Sequence, residues 1–185
     1  MIYDFSLRTV GLAVGLALLL SHGFALLSAE RVKLWMADFP RSRVAGIVLC
    51  TLAAVWAFWL AFTMDLGEFT PNRTLICVAV LVGAIMVPLF AEEFLAVRAV
   101  GILALLAAEP LLDAAFLRPE QTRLLLVVLG YVWALGGLFL VGAPYLLRDL
   151  LTWVAAKPWR YQLAAWSGVA YGALLIAVSL LFFAA

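Results

Sequence analysis

Few side chains in this 185-residue sequence are equipped for chemistry. Glu92-Glu93, followed by Arg98, is the sharpest polar feature inside an apolar stretch. Carboxylates within an apolar stretch are candidates for carrying a proton or an ion. Glu109 and Asp113 are four residues apart, so on one helix they share a face. Two close carboxylates can hold a proton or a cation between them. His22, flanked by Ser21 and Gly23, is the one histidine. It could relay a proton, hydrogen-bond a quinone, or meet Glu92 or Glu93. Ionisable groups inside a membrane span are functional candidates by default.

Each candidate also has a plainer role. Glu92, Glu93 and Arg98 fit a charged turn between two spans, with Arg98 neutralising a carboxylate. The cluster is similar to the Glu-Glu-x-x-x-Arg motif of the CAAX-type intramembrane proteases. However, four residues rather than three separate Glu93 from Arg98, and that family's two downstream histidines are missing. The sequence therefore excludes that family. Pro110 follows Glu109, which predicts a span ending there with both carboxylates at the interface. A single histidine cannot build a bis-histidine haem site and fits a packed residue bonded to a backbone carbonyl. No metal-ligand cluster, Cys-x-x-Cys pair or glycine-rich phosphate loop occurs, and no basic patch suits nucleic acid, so no metal, cofactor or nucleic-acid partner is expected.

The elements that position these residues follow from composition. Hydrophobic residues make up 68% of the chain and charged residues 12%, and the mean hydropathy is +1.15. So few charges cannot cover a soluble protein of this size, so lipid must be the solvent for most of the chain. Runs such as Leu12–Leu20 do not alternate as membrane strands would. The expected fold is all-α: a polytopic membrane bundle, one transmembrane domain over 1–185, with short loops. Its six spans are placed at about 7–29, 44–64, 74–91, 95–112, 121–147 and 161–183. Thr70-Pro71 predicts an N-cap opening the third span. The stretch 74–117 must turn back once, as two short spans or a re-entrant hairpin.

Loops one, three and five hold eight of the twelve basic residues. By the positive-inside rule these loops face the cytoplasm and both termini face outward, in a cell membrane read as a bacterial inner membrane. Alkaline phosphatase fused to the C-terminus is expected to be active; an inactive fusion would overturn the span count or its sense. Cys50 and Cys77 then lie toward opposite leaflets, too far apart for a disulfide.

Trp35, Trp153 and Trp159 fit an aromatic belt on the basic side. Loops one and five share Trp-x-Ala-x-x-Pro, at Trp35–Pro40 and Trp153–Pro158. A duplicated hairpin would produce this pattern, as would the ordinary chemistry of a short cytoplasmic hairpin. Gly11 with Gly15, and Gly168 with Gly172, follow the small-xxx-small spacing of close helix packing.

Three functions follow. The first is an accessory or assembly subunit that packs against other membrane proteins or its own copies. The second is a transporter or channel for a proton, ion or small solute, using Glu92, Glu93, Glu109 and Asp113. The third is a membrane enzyme acting on lipid or quinone through His22.

Overall fold

The computed structural model describes residues 3, 5–91 and 93–183. Within these residues the chain forms eight α-helices: α1 (Leu7–Leu27), α2 (Ala29–Asp38), α3 (Arg43–Thr63), α4 (Arg73–Phe90), α5 (Leu95–Ala115), α6 (Leu124–Gly142), α7 (Tyr145–Ala155) and α8 (Pro158–Leu181). All except α2 and α7 are long and apolar enough to cross a bilayer. The protein is a multi-pass membrane helical bundle. Large apolar side chains such as Leu20, Val82 and Leu138 point outward, as a lipid solvent requires.

Local chemistry sets the helix ends. Ser6 Oγ accepts from the Thr9 amide at 3.1 Å and caps α1. Ser42 Oγ accepts from the Ala45 amide at 3.2 Å and caps α3. Pro158 opens α8, where its missing N–H costs no hydrogen bond. Three local expectations need correction. Thr70 caps nothing: Pro71 lies inside a 3-10 turn, Gly67–Asn72, and α4 begins after it. Pro110 does not end α5, which continues to Ala115, and α4 likewise runs through Pro88 to Phe90. Finally, the fifth span stops at Gly142, because Ala143 leaves helical geometry (φ −132°, ψ 68°) and Pro144 starts a separate helix, α7. On α7, Leu147, Leu151 and Val154 recur at helical spacing opposite Asp149.

Helix α5 is the centre of the bundle, buried over 44% of its apolar window, and packs between α3 and α6. Helix α1 pairs with α8. The two groups meet at the end carrying the termini, where Leu7, Leu111, Leu126 and Leu175 form one core. Tyr171 Oη ties α8 to α6 by donating to the Leu125 carbonyl at 2.7 Å. At the opposite end α2 and α7 pack on each other, and Phe39 and Pro40 are buried where the adjoining turn meets α5. Helix α4 leans on α3, and none of its residues is buried.

Candidate functional site

Because α5 runs through Pro110, Glu109 and Asp113 lie one turn apart on the same helix. Both line an open cavity of about 1110 Å³ between α3, α5 and α6 at the terminal end. Asp65, just past α3, joins them, with Trp59 and Thr63 on the α3 wall. Glu109 and Asp65 are exposed and Asp113 is half-buried. Among the described residues none of the three carboxylates is in an ion pair. Asp65 Oδ1 accepts from the Gly67 amide at 3.0 Å. Arg73 is occupied elsewhere: it donates to the carbonyls of Phe62 and Met64 and closes the end of α3.

Tyr3 meets α3 beside this cavity. Trp56 Nε1 donates to Tyr3 Oη at 2.5 Å, and the Tyr3 ring lies 5.7 Å from that of Trp59. Burial pushes the Tyr3 phenol above its ordinary value; the Trp56 hydrogen bond opposes this and the Glu109 charge adds to it. The cavity is thus lined by three carboxylates, with the rings of Trp59 and Phe116 on its walls.

The remaining polar candidates among the described residues do not join it. Glu92 lies outside the described residues. Glu93 is exposed in the turn before α5. Arg98 Nη1 donates to the Val141 carbonyl at 2.6 Å and closes the end of α6 rather than pairing with Glu93. His22 is half-buried on α1. Its Nδ1 lies 3.0 Å from the Leu18 carbonyl and 3.2 Å from Ser21 Oγ. The ring fills the space that a side chain at Gly168 would need. Among the described residues no group of three or more His, Cys, Asp or Glu side chains is arranged to hold a metal.

The glycines allow the close crossings. A Cβ on Gly15 would lie 2.9 Å from the Gly172 carbonyl oxygen, and one on Gly172 would lie 2.7 Å from that of Gly15. Gly11 faces Ser179. A second crossing, Gly101 on α5 with Gly137 on α6, is equally tight at 2.9 and 2.7 Å. Sequence spacing missed it, because a crossing of single glycines on two helices leaves no repeat within either. Asp65 was also missed: it reads as part of a polar turn until α3 and α5 are known to be neighbours.

Trp35, Trp153 and Trp159 are all more than half exposed, on or beside α2 and α7. Arg160 stacks 4.2 Å over the Trp153 ring and 5.5 Å from that of Trp159. Cys50 and Cys77 are both free thiols. No known family, curated protein or solved structure matches the chain.

Proposed function

We propose that this chain acts as one transmembrane domain in an accessory or assembly role, receiving a helix of another membrane protein against α3 and α4. The observation that carries this reading is the seating of α4. None of its residues is buried, whereas α5 is buried over 44% of its apolar length. Ala53, Ala54 and Ala57 of α3, Gly83 and Ala84 of α4 and Ile102 of α5 line an apolar slot of about 120 Å³. A Cβ on Gly83 would meet nothing within 4 Å. Glycine in a helix interior costs about 1 kcal/mol relative to alanine, and here the chain's own packing returns nothing for it. A partner helix approaching the slot would. The eight basic residues of loops one, three and five support an orientation with α2 and α7 on the cytoplasmic side and the termini outside.

Photo-crosslinking in cells tests the reading. A benzophenone side chain at Val82 or Met86 of α4 is expected to give a discrete protein adduct. The same probe at Leu138, on the exposed side of α6, is expected to give lipid adducts. Lipid adducts alone at all three positions would overturn the reading.

The bowl of Asp65, Glu109 and Asp113 supports a second reading, entry of a cation from the terminal side. Against a complete path, the groove along α5 and α6 between Val100 and Leu140 is lined by apolar residues. Cation flux into proteoliposomes that is lost in Glu109→Gln with Asp113→Asn would favour transport. Flux indifferent to both changes would remove it. Among the described residues His22 bonds Leu18 and Ser21 and no carboxylate.

A further inference from the structure

At the basic end, two adjoining cavities lie beneath and between α2 and α7. The deeper one, about 260 Å³, is enclosed by α1, α2, α7 and α8. Its walls are apolar, formed by residues such as Ala25, Val32, Val154 and Ala165. The polar groups on its lining are engaged by backbone carbonyls: Tyr161 Oη donates to the Ala25 carbonyl at 2.7 Å, Ser21 Oγ donates to the Leu18 carbonyl at 3.2 Å, and His22 Nδ1 lies 3.0 Å from the same carbonyl. The shallower cavity, about 300 Å³, is bordered by Lys33, Ala37 and Thr152. Met36 and Leu151 line both, so the two are neighbours. The apolar cavity thus lies beside one that Lys33 borders.

Lys33 is held at that border. Its ammonium sits 5.3 Å from the centre of the Tyr161 ring, which borders the deep cavity. It also contacts Glu30 at 2.9 Å, but the Lys33 side chain is 27% exposed and that of Glu30 87%. The cation therefore faces inward while its carboxylate partner stands in solvent, where the pairing is weak. The surrounding surface is basic: Arg31, Lys33, Arg41 and Arg43 against Glu30 and Asp38 in one segment, and Arg148, Lys157 and Arg160 against Asp149 in the other.

We infer that this corner is a binding site for one phospholipid with an anionic headgroup, drawn from the leaflet that meets the basic end. One acyl chain enters the deep cavity, and the phosphate lies at Lys33. Charge complementarity selects the lipid, and the apolar walls of the deep cavity suit part of one acyl chain. The site does not depend on the partner proposed at α4, which lies on another face.

The test uses the purified full chain in mild detergent, with native mass spectrometry of retained lipid. The probes are dioleoylphosphatidylglycerol, dioleoylphosphatidylcholine and inorganic phosphate. The wild-type chain is expected to retain phosphatidylglycerol over phosphatidylcholine by about fivefold, the worth of one basic residue near a membrane surface. Lys33→Gln is expected to bring that ratio to about one, and Lys33→Arg to restore it. Ala165→Phe, which fills the deep cavity, is expected to reduce retention of both lipids. Inorganic phosphate is expected to bind neither wild type nor variant. Equal retention of the two lipids by the wild type, or an undiminished preference in Lys33→Gln, would overturn the inference. So would a phosphate competitor that displaces the lipid completely.

Discussion

Gly172→Leu is expected to unseat α8 from α1, and Gly137→Leu to unseat α6 from α5. In each case the new Cβ would stand 2.7 Å from a facing carbonyl oxygen, at Gly15 and Gly101 respectively. A backbone oxygen cannot rotate aside, so the helices must separate. Overpacking costs up to about 3 kcal/mol where the backbone must move. In a chain of this size that lowers the midpoint of thermal unfolding by about 6–12 °C. Gly136→Leu is the matched control. It adjoins Gly137 in sequence, yet its Cβ would meet nothing within 4 Å. Its midpoint is expected to stay within about 2 °C of the wild type. Equal losses at Gly136 and Gly137 would show that leucine harms α6 by some route other than the crossing.

The second large effect couples two residues from opposite ends of the sequence. Gly168→Ala places a methyl group where the His22 ring lies. The imidazole must then rotate and give up the Leu18 carbonyl, at a cost of about 1–2 kcal/mol. With His22→Ala already present, the same glycine substitution is expected to be neutral or stabilising, because alanine is the better helix former. A double-mutant cycle read by thermal unfolding should return a coupling of about 1–2 kcal/mol. No coupling would mean that His22 does not pack on Gly168. This result also bears on chemistry, since a histidine held by a backbone carbonyl and a glycine is a packed residue.

The six apolar helices were legible because lipid imposes a length and a composition that soluble proteins need not obey. Hydropathy does not record direction, however. Leu146, Leu147, Leu150 and Leu151 prolong the apolar run beyond Pro144, so the sequence extended the fifth span where the chain breaks at Ala143 and forms α7. The Glu109–Asp113 pairing was legible from four-residue spacing, while Pro110 pointed to a helix end that does not occur. A proline removes one N–H from the ladder, and in a bundle neighbouring groups can compensate for it. Asp65 and the Gly101–Gly137 crossing depend on which helices are neighbours. With lipid on most sides, any apolar face is an acceptable outer face, so patterning alone cannot rank the pairings.

The functional account rests on the slot beside α4, and Gly83→Leu addresses it directly. The substitution fills a slot of about 120 Å³ that the chain's own helices leave open. The decisive measurement is native mass spectrometry of the wild type and Gly83→Leu, extracted from the membrane in the same mild detergent, beside their thermal unfolding midpoints. The wild type is expected to carry a second membrane polypeptide at fixed stoichiometry. Gly83→Leu is expected to travel without it while unfolding at the same temperature. A wild type that carries only lipid, or a Gly83→Leu chain that keeps the partner, would contradict the assembly role.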